Sequence, residues 1–74
     1  MREIIGETAG KVWKTLGQKG EVSLASLPKL VDEKSELVFQ ALGWLAHEGK
    51  VVYGSKANRP FVTLTAAEKN AFKT

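Results

Sequence analysis

The residues able to do catalytic chemistry are few in this 74-residue sequence and fall into no recognisable motif. There is one histidine, His47, one aspartate, Asp32, and no cysteine, so His47 has no second imidazole or thiolate with which to share a metal ion. Ser23 and Ser35 each precede an apolar helical segment, a position more typical of a helix N-cap than of a nucleophile. No glycine-rich phosphate-binding loop is present. The sequence therefore predicts a non-enzymatic protein without a metal, a cofactor or a small-molecule substrate.

The basic residues that could attract a polyanion are in excess over acidic ones in only one segment. The chain has a net charge of +3, and residues 49–64 contain Lys50, Lys56 and Arg59 but no acidic residue. The rest of the chain has eight basic and eight acidic residues and is neutral. We therefore expect any attraction to an acidic partner to be local to this segment.

Two helices are predicted before the middle of the chain. The first runs from about Glu3 to Gln18. Its apolar residues recur at the helical period and share one side: Ile5, Ala9, Val12, Trp13 and Leu16. A short extended piece is predicted at residues 21–23. The second helix is expected over residues 24–31, with Ser23 as its N-cap. Because Pro28 would be its fifth residue, this helix should either begin late, near Leu27, or bend there.

A third helix is predicted from Glu36 to Glu48, after a turn at residues 32–34. Ser35 is expected to cap its start, and Gly49 to end it in the left-handed conformation. Its apolar face is formed by Leu37, Val38, Ala41, Leu42 and Leu45. The opposite side of this helix is therefore expected to remain free.

A hairpin and a last short helix complete the chain. Residues 50–53 and 61–64 are rich in β-branched and aromatic residues and predict two strands. Residues 54–60, with glycine, asparagine and proline, predict the loop between them. Residues 65–68 have the pattern of a capping box and predict a helix that runs to about Phe72, which should pack back on the body.

This order of elements resembles the winged helix-turn-helix fold. The residues that carry the resemblance are 23–27, 35–38, 41–45, 48–51 and the hairpin. The run Leu42–Val51 is similar to the step from recognition helix to wing in many bacterial winged helix regulators. With its Gly43-Trp44-Leu45 signature, the chain more narrowly resembles a family of very small bacterial winged helix proteins of uncharacterised function. The resemblance implies an α+β fold in one domain over residues 1–74, with a three-helix core, a small antiparallel sheet forming the wing, and a short C-terminal helix.

The resemblance also implies a partner, double-stranded DNA, for a domain of transcription-regulator type. In this fold the third helix enters the major groove, and the wing touches the neighbouring backbone. Gln40 is suited to adenine edges, and Gly43 allows the helix backbone to approach the DNA closely. The residues expected at the DNA surface are Lys34, Ser35, Gln40, Gly43, His47, Lys56 and Arg59, of which the three cations would hold phosphates.

The outward side of the third helix also carries features that disfavour DNA. It has an acid, Glu36, no lysine or arginine, and two aromatic residues, Phe39 and Trp44, at its borders. Phosphate contacts supply most of the affinity for DNA, so this side is poor in the required charge. The alternative is a winged helix module that serves for homodimerisation or protein contact without DNA, its basic wing residues being an ordinary solvated loop.

A homodimer is predicted on separate grounds. Gly6 and Gly10 lie on one side of the first helix, and small residues four apart allow close helix approach. Half-exposed aromatic residues are enriched at interfaces, and a short chain with a thin core gains from association. The predicted interface comprises Gly6, Gly10, Trp13, Phe39 and Trp44. The competing interpretation is that both tryptophans fill a small core.

Targeting signals are missing from the sequence. No apolar stretch approaches the roughly 20 residues of a membrane-spanning helix, and the N-terminus has no long apolar signal segment. We therefore expect a cytoplasmic protein that does not interact with membranes.

Overall fold

The elements follow one another in the predicted order. The computed structural model describes the backbone of residues 2–73 and the side chains of residues 6–72. The helices are α1 (Arg2–Lys19), α2 (Leu27–Val31), α3 (Ser35–His47) and α4 (Ala66–Lys73), and the strands are β1 (Val22–Ser23), β2 (Val51–Lys56) and β3 (Arg59–Leu64). The strands form one antiparallel sheet in the order β1-β3-β2. This is the α+β winged helix fold that the resemblance implied.

The core lies where α1, α3 and the sheet meet. The side chains it buries are Ala9, Val12, Leu16, Val22, Leu27, Val31, Val38, Ala41, Leu42, Leu45, Val51, Val62 and Leu64. The predicted apolar face of α3 is confirmed, with Leu37 half-buried at its margin. The face of α1 is confirmed from Ala9 onward, whereas the side chain of Ile5 lies outside the described residues. Because one side of α3 is used entirely by the core, its other side is left to solvent.

At the start of α2, the predicted late beginning is confirmed but the predicted N-cap is wrong. The helix begins at Leu27, so the late start is confirmed, and Pro28 lies in the first turn, where its missing N–H has no helical acceptor. Ser23 as N-cap is wrong, because Ser23 pairs with Phe61 in the sheet and is therefore extended. Its Oγ accepts a hydrogen bond from the backbone N–H of Ser26 at 3.2 Å and so closes the turn that precedes the helix.

The two ends of α3 are set by backbone conformation. The N-cap residue is Lys34, which forms no side-chain capping hydrogen bond, so the prediction that Ser35 caps the helix is wrong. Asp32 adopts a left-handed conformation (φ 61°) as the C-cap residue of α2, and Ser35 is already the first helical residue of α3. At the other end Gly49 (φ 72°) stops the helix as predicted, and the N–H of Lys50 bonds the carbonyl of Leu45 at 2.9 Å.

The hairpin is longer and its turn tighter than predicted. The expected loop over residues 54–60 is wrong: pairing continues from Val51↔Leu64 to Lys56↔Arg59, which leaves Ala57 and Asn58 as the turn. Both have positive φ, 51° and 65°, the pattern of the two-residue type I′ turn that fits the twist of a hairpin. Asparagine tolerates this conformation, but alanine rarely adopts it, so the sequence gives little signal for a turn here.

Replacing Ala57 with glycine is expected to stabilise the protein by about 1 kcal/mol, because the turn requires a left-handed residue there and glycine has no Cβ to oppose it. The gain would be measured as a shift in the midpoint of urea unfolding. Ala57→Val is the matched opposite change and should lower the midpoint, since a β-branched residue is worse still at positive φ. A glycine variant less stable than the parent would contradict the turn assignment.

The last helix is held by aromatic packing rather than by the predicted capping box. Oγ1 of Thr65 is buried and finds no hydrogen-bond partner among the described residues. The carboxylate of Glu68 instead accepts a hydrogen bond from Nε1 of Trp13 at 2.8 Å, so the capping box is wrong. Phe72 packs edge-to-face on Trp13 with 5.2 Å between ring centroids, which confirms that the end of α4 returns to the body.

Candidate nucleic-acid interface

The outward side of α3 is a continuous exposed surface. Gln40, Gly43 and His47 are all exposed, one helical turn after another. A Cβ placed on Gly43 would have no atom outside its own helix within 4 Å, so another molecule can approach the backbone there. Phe39 and Trp44, at the two borders, are each 46% exposed. The structure thus brings these predicted residues together on one face.

The start of α3 adds a mixed cluster of charges. Lys34 and Ser35 are both exposed at the turn between α2 and α3. A shallow depression there is lined by Pro28, Lys29, Asp32, Glu33 and Lys34. Sequence reasoning missed Lys29, a second cation beside Lys34. Lys29 lies on α2 and comes close to the start of α3 only in the folded chain.

One acid of this cluster is already neutralised. Nζ of Lys11, on α1, donates a hydrogen bond to the Glu33 carboxylate at 2.6 Å. This hydrogen bond and the negative charge of Glu33 raise the pKa of Lys11 above its usual value of 10.5. The ion pair ties α1 to the turn and offsets part of the negative charge beside Lys34.

The two wing cations lie opposite each other but differ in their contacts. Lys56 and Arg59 are register partners on either side of the turn, and both are exposed. Nζ of Lys56 lies 2.9 Å from Oε1 of Glu21 and 5.7 Å from the centre of the Phe61 ring. Arg59 makes no ion pair within the part of the chain whose side chains are described. Arg59 is therefore the freer of the two.

The position of the Phe61 ring requires a glycine at residue 54. Gly54 is its register partner on β2, and the ring lies so close that any Cβ at residue 54 would clash with it. The ammonium of Lys56 lies over the face of this ring. Sequence reasoning missed both Phe61 and Glu21 as site residues. The pairing of Gly54 with Phe61 follows once the turn is placed at residues 57–58, but Glu21 is distant in sequence and gave no signal.

The predicted interface residues gather in a groove between α1, the end of α3 and α4. The groove has a volume of about 310 Å³ and is lined by Gly6, Ala9, Gly10, Trp13, Trp44, Leu45, Lys50 and Glu68. Four of the five predicted interface residues are thus brought together, while Phe39 does not line the groove. The two tryptophans differ: Trp13 packs partly against the core, whereas Trp44 remains 46% exposed. Lys50 and Glu68 are additions that only the fold reveals.

The described residues form neither a metal-binding cluster nor a membrane-spanning helix. No group of three or more histidine, cysteine, aspartate or glutamate side chains is placed there to hold a metal ion. None of the helices in this part of the chain has the length and apolar character to cross a bilayer.

The chain is similar to known proteins in sequence and in structure. The family described as "Winged helix-turn-helix domain (DUF2582)" matches residues 1–64. An uncharacterised protein of Methanocaldococcus jannaschii is 44% identical over 50 residues, which make up 64% of this chain and 70% of that protein. The solution NMR structure of a Bacteroides thetaiotaomicron protein is 33% identical, with a TM-score of 0.78 over 89% of this chain and 80% of that one.

A larger protein shares the fold at lower identity. The crystal structure of a MarR family transcriptional regulator from Silicibacter pomeroyi is 17% identical, with a TM-score of 0.74 over 89% of this chain. The present chain spans about half of that protein, 48% of its length. At this identity the likeness establishes the winged helix fold and nothing further.

Proposed function

The chain belongs to the DUF2582 family of winged helix-turn-helix domains, and on that premise we propose that it binds double-stranded DNA as a non-enzymatic, regulator-type domain of the cytoplasm. The observation that carries the proposal is the exposed side of α3 next to a hairpin whose formal charges are all positive. A transcriptional regulator shares the fold, which supports the same function by analogy.

The mode of contact follows from the exposed groups. α3 would lie in the major groove, with Gln40 and His47 facing base edges and Gly43 against the groove wall. Lys34, at the start of α3, and Arg59, in the wing, would contact phosphates on either side of the groove. Ser35 adds a hydroxyl beside Lys34 that is free of any capping role.

The strength of binding follows from the number of cations. If Lys34, Lys56 and Arg59 each neutralise one phosphate, log K should fall with log salt at a slope of about −2.7. Binding by one copy is therefore weak and strongly salt-dependent, and tight binding would require two copies on adjacent half-sites. Fluorescence anisotropy of a labelled mixed-sequence duplex, at low and at physiological salt, tests this. A complete lack of binding at low salt to any mixed duplex would rule the function out.

A second candidate function, self-association, is favoured by the groove. Both tryptophans line it, Trp44 is half exposed, and Gly6 and Gly10 leave the α1 surface open. A two-fold symmetric dimer would bring this surface against itself and cover aromatic area that a single copy exposes. Gln40, His47 and Arg59 do not line the groove, so self-association through it and DNA binding are compatible.

Replacing Gly6 and Gly10 together with alanine is expected to stabilise the single copy while weakening the dimer. Each helical Gly→Ala change should contribute up to about 1 kcal/mol of stability, and each methyl group would obstruct close approach of a second α1. Thermal unfolding measures the first effect and sedimentation velocity the second. Gly43→Ala is the matched control, because it changes a helical glycine outside the groove and should leave association unchanged. A parent protein that stays monomeric at high micromolar concentration would exclude the dimer.

A further inference from the structure

The base of the wing holds an acid that competes with DNA for a wing cation. Glu21 lies in the connection between α1 and β1, and its Oε1 is 2.9 Å from Nζ of Lys56. We infer that Glu21 occupies, in the free protein, the place on Lys56 that a DNA phosphate would take, and so lowers the affinity of the wing for DNA. This inference rests on the proposed function.

The side chain of Lys56 folds back along the hairpin instead of extending beyond its tip. Its Cα lies beside the turn, paired with Arg59, whereas Glu21 precedes β1, whose residues Val22 and Ser23 pair with Val62 and Phe61. The ammonium therefore reaches back past the Phe61 ring toward the body of the domain. In this position it is turned away from the tip, where a phosphate would meet it.

Three contacts hold this arrangement together. The Phe61 ring lies against Gly54, where there is no Cβ to displace it, and presents its face 5.7 Å from Nζ of Lys56. The Glu21 carboxylate then neutralises the ammonium, which also reduces the repulsion between Lys56 and its register partner Arg59. One connected set of contacts on the wing thus joins Gly54, Phe61, Lys56 and Glu21.

Exchange of the acid for a phosphate is feasible because the ion pair is exposed. The side chains of Lys56 and Glu21 are 72% and 43% accessible, so solvent screens the pair and its contribution is small. A DNA phosphate presents the same chemistry, an anionic oxygen that accepts a hydrogen bond from the ammonium. The other phosphates of the duplex add to its attraction for the cation. Glu21 therefore lowers the affinity for DNA without blocking binding.

Glu21→Gln tests the inference by removing the charge while keeping the shape of the side chain. Affinity for a mixed-sequence duplex should rise about two- to fivefold, the size expected for an exposed ion pair. The salt slope should change little, because Lys56 contacts a phosphate in both complexes. Glu7→Gln is the matched control, since it makes the same change in net charge on an exposed position of α1. The gain beyond that of Glu7→Gln measures the effect of Glu21 itself.

The double variant Glu21→Gln with Lys56→Met separates competition from a general charge effect. If Glu21 acts through Lys56, the gain from Glu21→Gln disappears once Lys56 is absent. The proton resonances of the Lys56 side chain provide a second measurement, because the shift caused by the Phe61 ring should diminish in Glu21→Gln and when DNA is added to the parent protein.

The outcomes distinguish this inference from the proposed function. DNA binding by all variants, with Glu21→Gln no tighter than Glu7→Gln, would overturn the role of Glu21 and leave the proposed function standing. A gain larger than that of Glu7→Gln that persists when Lys56 is replaced by methionine would also overturn it. Failure of every variant to bind DNA at low salt would overturn both proposals.

Discussion

Replacing Gly43 with glutamate is expected to lower the affinity for duplex DNA by about 100-fold or more, while the domain remains folded. Gly43 is exposed in the middle of α3, and the structure leaves the space around it empty. A carboxylate at this position would stand inside a groove lined by phosphates, and juxtaposed like charges cost several kcal/mol. Glutamate is also a better helix former than glycine, so unfolding should shift to higher temperature, not lower. Anisotropy titration and thermal unfolding measure the two effects.

Two controls separate charge in the groove from charge elsewhere. Gln18→Glu makes the same change in net charge on an exposed residue of α1, and it should weaken binding only slightly. Gly43→Ala adds a methyl group without charge and should have an intermediate effect on binding. If Gly43→Glu binds DNA as tightly as Gln18→Glu does, then α3 does not enter the groove.

The combined change of Lys56 and Arg59 to alanine is expected to weaken DNA binding about tenfold or more at low salt, about equally for every sequence. These cations contact phosphates and read no bases, so their loss should reduce the salt slope by about 1.8. Of the single variants, Arg59→Ala should cost more, because Lys56 must first leave Glu21 to reach the DNA. Titrations at several salt concentrations with unrelated duplexes provide the measurement.

Lys14→Ala combined with Lys69→Ala is the control for that experiment. It removes the same total charge from exposed positions on α1 and α4, away from the wing. We expect a much smaller change in slope. A control that weakens binding as much as the wing variant would show that DNA is attracted by net charge alone and that the wing holds no defined contact.

The fold was predictable because its signals are local and periodic. The apolar positions of α3 recur at the helical spacing, so the buried side, including Val38 and Leu45, and the free side followed from the sequence. Gly49 likewise marked the end of that helix. The hairpin strands were predicted from their β-branched residues, but their length was underestimated because Ala57 adopts a conformation that alanine rarely does.

The errors concern side chains that find distant partners. Glu68 has the spacing of a capping box with Thr65, yet its carboxylate bonds the Trp13 indole, far away in the sequence. Serine is a residue type typical of a helix cap, but the backbone of Ser23 pairs with Phe61 in the sheet. In both cases a tertiary contact replaces a local one, and no pattern within a few residues signals it.

The candidate site divides in the same way. The exposed positions Gln40 and His47 were predictable from helical periodicity, and the isolated wing cations from the distribution of charge. The ion pair that holds Lys56 was not predictable, since Glu21 and Phe61 meet it only after the sheet has formed. Charge counted along the chain therefore overestimates how much of the positive charge of the wing is free for a partner.

The most direct test of the central claim, that the outward side of α3 and the wing together contact DNA, is an amide NMR titration with a mixed-sequence duplex at low salt. We predict that the largest shifts cluster at Gln40, Gly43 and His47 on α3 and at Arg59 in the wing. Unchanged signals at these positions, together with shifts around Trp13 and Trp44 that depend only on protein concentration, would contradict the claim and assign the domain to protein contact.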